Sequence, residues 1–173
     1  MIRALAHHLI AALAAIAVAA APASAAGQGR SIEFAVKAAF LTKFAAFVTW
    51  PAGGGPAAIC VVGSDPFGGR LEQAVRGQPG VTIRRLTEVD RSSGCHVVYA
   101  AGSSRQSVAE ALQAVRGSPV LTVTDAAQGG ARGMIHFVVF EDRVRFHIDA
   151  GQAAQSGLTI SSKLLSLALS VKR

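Results

Sequence analysis

Two cysteines, Cys60 and Cys95, are the first residues whose type and placement suggest chemistry. Cys60 lies inside a short apolar run and Cys95 at the start of another, so both read as strand residues. The chain opens with the pattern of an export signal, and an even cysteine count in an exported protein points to a disulfide. If the two strands are neighbours, their Cα atoms fall within the roughly 4.4–6.8 Å that a disulfide spans. Such a bond would stabilise the fold by up to about 4 kcal/mol. Two buried free thiols are the alternative. A catalytic pairing of Cys95 with His96 is disfavoured, because adjacent strand residues point to opposite faces.

Other candidates are weaker. Residues 63–70 (GSDPFGGR) follow a strand, where open α/β sheets bind ligands. They lack the Lys-Ser/Thr ending of a phosphate loop, Pro66 removes an amide, and Asp65 would repel phosphate. A capped turn fits better. Asp125 ends a strand and could serve as a base or metal ligand, but it has no evident carboxylate partner and fits a turn residue better. Ser64, Asp65, Ser103 and Asp125 are the candidate lining of a ligand pocket at the strand ends. His136 and His147 fall opposite each other in a predicted hairpin and are weak metal candidates. No third ligand has a diagnostic spacing, and a solvated face shared with Arg143 and Arg145 is the simpler expectation. There is no Gly-x-Ser-x-Gly elbow and no Ser-x-x-Lys motif. No enzyme and no cofactor is expected.

The elements that must position these residues are legible in outline. Residues 33–51 hold four of the eight Phe and the only Trp, with Val36, Phe40, Phe44 and Phe47 or Val48 at helical spacing. The expectation is a helix capped by Ser31 and stopped by Pro51, with Glu33 and Lys37 paired at i,i+4. A helix this apolar must bury most of its circumference. It packs under a sheet, and any aromatic part left open is a partner surface. Strands are expected near 57–63, 81–86, 96–100 and 120–124. Helices are expected at 66–75, led by Asp65 and Pro66, and after Ser103 or Ser104, ending at Gly117. Alternating strands and helices imply a three-layer α/β fold with a mostly parallel sheet and the first of these strands beside the third. Residues 134–148 read as a C-terminal antiparallel hairpin turning at Glu141-Asp142. A short helix over 150–156 follows, then a last helix over 162–171.

Residues 1–26 carry Arg3, an unbroken apolar run over 9–21 and a small-x-small site at 23–25, the pattern of a secretory signal peptide cleaved near Ala25-Ala26. The remaining 27–173 form a single domain with no further stretch long enough to span a membrane. The net charge is +7, or +6 once Arg3 is removed. The remaining Lys and Arg are scattered, so nucleic acid is not an expected partner.

Several stretches resemble the YfiR-like family: 36–51 (VKAAFLTKFAAFVTWP), 59–68 (ICVVGSDPFG), 95–99 (CHVVY) and 120–125 (VLTVTD). Residues 133–138 (GMIHFV), 144–148 (VRFHI) and 157–165 (GLTISSKLL) continue the match in order. The resemblance implies a periplasmic protein that represses a membrane-bound diguanylate cyclase by binding its periplasmic sensor domain, which lowers cyclic di-GMP and restrains biofilm formation. It implies a redox-linked activity, with Cys60 and Cys95 matching a family cysteine pair. A second pair found in some members is absent, and His136 and His147 replace residue types usual in the family. Phe34, Lys37, Phe40, Phe44, Phe47, Trp50, Pro66 and Phe67 are the candidate partner-binding residues, and a homodimer is a further candidate association. The alternative function is a periplasmic small-ligand-binding module that signals to a membrane receptor, kinase or transporter.

Overall fold

The structure is a computed structural model describing residues 23–51 and 58–173. Its strands are β1 (Val48–Thr49), β2 (Ala58–Gly63), β3 (Thr82–Leu86), β4 (Val97–Gly102), β5 (Leu121–Asp125), β6 (Ile135–Phe140), β7 (Arg143–Asp149), β8 (Thr159–Ile160) and β9 (Ser170–Lys172). The helices are α1 (Ala23–Phe44), α2 (Arg70–Ala74), α3 (Val108–Ala114), α4 (Ala150–Gln155) and α5 (Ser162–Leu165). Seven strands form one sheet in the order β3-β2-β4-β5-β6-β7-β9, and β1 pairs with β8 in a second, two-stranded sheet. This is the expected α/β architecture, with β2 beside β4. Strands β2 and β4 are continuously apolar, β5 alternates Leu121 and Val123 with Thr122 and Thr124, and all three are central and almost wholly buried, as expected where both faces are covered. The β3 edge carries exposed Arg84 and Arg85, charges that discourage edge-to-edge pairing.

The predicted hairpin forms with the predicted register. His136 lies opposite His147, Phe137 opposite Phe146 and Val138 opposite Arg145. Glu141 and Asp142 adopt φ of 49° and 56°, the left-handed pair that a two-residue turn needs to match strand twist.

Several local expectations shift. The first helix is already helical at Ala23, so Ser31 is not its cap; the Ser31 hydroxyl instead accepts a bond from Arg70 Nη2 at 2.7 Å. The helix ends at Phe44, ahead of Pro51, and a 3-10 turn leads into β1. Extended backbone at Val48 lets β1 pair with β8 while Val48 and Trp50 stay buried. Asp65 does not open a helix. Its Oδ1 accepts from Phe67 N at 2.7 Å, closing a local turn, and α2 starts only at Arg70. Ser107, rather than Ser103 or Ser104, caps α3 in a reciprocal capping box with Glu110. The last predicted helix stops at Leu165. Leu169 N then bonds to Phe146 O at 2.8 Å and β9 joins β7 in parallel, because the free edge of β7 offers backbone groups that pairing satisfies.

Cys60 and Cys95 are joined in a disulfide, with Cα atoms 5.9 Å apart. The bond sits in the core between the sheet and α3, with Val62, Val98, Ala111 and Val115. The opposite, larger core lies beneath α1 and is built on Phe44, Tyr99, Phe137 and Phe146. Where β2 and β4 end, a Cβ on Gly63 would stand 1.9 Å from the Gly102 carbonyl oxygen. Only glycine permits that approach.

Candidate functional site

Helix α1 is apolar on nearly every side, so its sequence does not say which side faces the sheet. In the fold the inward line runs through Phe34, Lys37, Ala38, Leu41, Phe44 and Ala45. Lys37 is fully buried. Its Nζ lies 2.6 Å from Asp125 Oδ2 at the end of β5, bonds Glu33 Oε1 one turn earlier, and sits 5.2 Å from the centre of the Phe34 ring. Asp125 also accepts from the Tyr99 hydroxyl at 3.3 Å and from Ala127 N at 3.0 Å. Burial first, and then the Asp125 charge, push the Tyr99 hydroxyl far above its ordinary range. Tyr99 therefore acts as a neutral donor. Rings carry the contact onward: Phe67 stacks edgewise on Tyr99 at 4.7 Å, and Phe34 on Phe67 at 6.1 Å. Charge and ring packing together fix the rotation of α1 on the sheet.

That rotation decides which residues α1 shows to solvent. Ile32 is 66% exposed and Val36 38%. Ala35, Ala39, Lys43 and Ala46 continue the same open side, with Phe40 and Phe47 half-buried along its margins. Periodicity placed Val36 on the buried face; the Lys37 ion pair turns it outward. The open side is a narrow apolar stripe ending in a cation, suited to receiving the apolar surface of another protein.

The candidate partner residues thus divide. Lys37, Phe44, Trp50 and Phe67 are interior, while Phe34, Phe40, Phe47 and Pro66 are half-buried. Phe40 spends its ring on the core, 5.5 Å from Phe146 and 6.0 Å from Phe44. Ile32 escapes the periodicity argument because it lies just outside the aromatic stretch 33–51. The signal that could have found it is the helix's all-round apolarity, which exceeds what one sheet face can cover.

The strand-end candidates come near one another, with the side chains of Asp65, Ser103 and Asp125 engaged. Asp65 Oδ2 accepts from Arg85 Nε at 2.7 Å, and Arg85 also bonds Glu72. That bond from Arg85 holds the Glu72 carboxyl below its usual range. Ser103 Oγ donates to Thr87 O at 2.6 Å and accepts from Gln106 N at 3.0 Å. Ser64 N donates to Gly102 O at 2.9 Å. Asp125 is the carboxylate of the buried pair. These contacts bond the strand-end side chains of Asp65, Ser103 and Asp125 to the protein itself.

His136 is not on a solvated face. It is buried, with Nδ1 2.8 Å from Thr124 Oγ1. His147, half-buried, has Nδ1 2.7 Å from Ser170 Oγ. Among the described residues no group of three or more His, Cys, Asp or Glu side chains is placed to hold a metal ion, and no helix is long and apolar enough to cross a membrane.

A mostly parallel sheet with a buried disulfide, covered by an apolar helix, defines an α/β domain. Comparison with known families matches residues 34–169 to the YfiR/HmsC-like family, DUF4154. The chain belongs to that family, whose members are periplasmic regulatory proteins that act on a membrane partner. No curated protein matches it.

Proposed function

We propose that the chain is exported, loses residues 1–26 as a signal peptide, and acts as one periplasmic domain over 27–173. It binds the periplasmic sensor domain of a membrane-bound diguanylate cyclase and holds it in an inactive conformation, which lowers cyclic di-GMP and restrains biofilm formation. An inhibitor of this kind need only bind the inactive conformation more tightly than the active one. The observation that carries the reading is the outer stripe of α1: Ile32 and Val36 stay exposed on a helix locked by Lys37 and Asp125, inside a chain matched to the family over 34–169. Phe40, Phe47 and Pro66 frame the stripe. The half-buried Phe34 and the buried Lys37, Phe44, Trp50 and Phe67 support it from beneath. The Cys60–Cys95 bond couples the domain's stability, and through it repression, to the periplasmic redox state.

The test is direct binding of the purified 27–173 chain to the periplasmic domain of a membrane diguanylate cyclase encoded beside its gene. Ile32→Asp with Val36→Asp is expected to abolish binding while leaving the melting temperature unchanged. Undiminished binding by that variant sends the contact to another surface. Absence of binding by the wild-type chain, with no change in cyclic di-GMP on deleting its gene, sinks the repressor reading.

A further inference from the structure

The two faces of the sheet are finished differently. Leu121, Val123, Ile135, Phe137, Phe146 and Ile148 belong to the core beneath α1, so by strand alternation their neighbours Thr122, His136 and His147 point the other way. On that second face α3 covers β2 and β4. Beyond α3 the face opens into a groove of about 840 Å³, floored by Thr122, His136, His147 and Ser170 and rimmed by the end of α3 and by α4.

The groove's charge is one-sided. Arg116, Arg132, Lys172 and Arg173 line it against a single side-chain carboxylate, Asp149. Asp149 is already committed: it accepts from Gln152 N at 2.8 Å and from Lys172 Nζ at 3.0 Å. Among the described residues Arg116, Arg132 and Arg173 form no ion pair. Three guanidinium groups therefore share a concavity with no free side-chain carboxylate. Gln152, Gln155, Ser170 and two imidazoles add hydrogen-bonding groups. The local field is visible at His136, whose pKa is held below the ordinary value first by burial and then by the Arg132 charge, with His147 adding to it and Asp125 opposing.

We propose that this groove is a binding site for a small molecule carrying a doubly charged oxyanion, a phosphate ester or a dicarboxylate. Planar guanidinium forks match both anions bidentately. The volume falls in the range of small-ligand sites, about 300–1,000 Å³, and its concavity suits a soluble molecule better than a flat lipid surface. The site lies across the sheet from α1, so it stands independently of the partner reading.

The experiment is calorimetric titration of the purified chain with inorganic phosphate, glucose 6-phosphate and malonate, with glucose as the neutral control. Saturable binding of at least one anion, no response to glucose, and roughly tenfold weaker binding for each of Arg116→Gln and Arg132→Gln are expected. Both positions are exposed, so the variants should melt with the parent. By linkage, the bound anion should also raise the pKa of His136 followed by NMR. Failure of every anion to saturate, or equal binding by the double variant, overturns the site. Retention on phosphatidylglycerol vesicles without any response to soluble anions assigns the surface to a membrane and overturns it equally. None of these readouts uses a protein partner, so they fail or succeed apart from the repressor reading.

Discussion

Lys37 Nζ lies 2.6 Å from Asp125 Oδ2, a buried contact between side chains 88 residues apart in sequence. It ties α1 to the end of a central strand. A buried ion pair adds little net stability over a well-packed apolar pair, but breaking one side of it strands the other charge.

Lys37→Met is therefore expected to destabilise by about 3–5 kcal/mol. Adding Asp125→Asn should cost less than the sum of the single changes, with a coupling of about 0.5–3 kcal/mol. Urea unfolding of the four proteins measures this. A Lys37→Met variant within about 0.5 kcal/mol of the parent, the range of ordinary surface changes, would show that the pair does not hold α1.

The disulfide closes a loop across a sequence separation of 35. The chain-entropy relation puts such a closure near 4 kcal/mol, and native geometry usually returns about 2–4. Cys60→Ser with Cys95→Ser should lower stability by that amount, and dithiothreitol should lower the parent's unfolding midpoint in parallel. Identical midpoints with and without reductant would remove any physical basis for redox-linked repression.

His136 supplies a pH dependence of known sign. Its folded pKa lies below the ordinary value of 6.5, chiefly because burial disfavours the charged ring. Between the two values the unfolded chain binds the proton and the folded chain does not. The stability contributed by the neutral ring is thus complete above pH 6.5, falls as pH drops below it, and stops falling once the folded-state pKa is passed. Melting temperatures between pH 8 and pH 5 should decline more steeply for the parent than for His136→Gln. Parallel curves would mean that His136 is not the group responsible.

Much of the architecture was readable locally. Strands β2 and β4 announce themselves as apolar runs, because a strand covered on both faces has few polar positions to spare. The hairpin register followed from alternation about Glu141-Asp142, since a slip of one residue would turn Phe137 and Phe146 away from the core. The cysteines were adjacent once β2 was placed beside β4. The C-terminal strand escaped notice. Residues 162–171 have helical spacing, but the unpaired edge of β7 claims Ser170–Lys172.

The candidate surfaces were less legible. Lys37 looks like an outward helix residue until Asp125 is brought to it, and Val36 looks like core until that contact sets the helix rotation. The cationic groove gathers Arg116, Arg132 and Lys172 from separate segments, and scattered arginines carry no local pattern. By itself the sequence determined what apolar patterning encodes: the central strands, the hairpin and the placing of both cysteines on strands. Only the tertiary structure decided the phase of α1, the last sheet edge and the gathering of unpaired cations. A helix apolar on every side has no phase of its own, and charges far apart in sequence become neighbours only when the chain closes on itself.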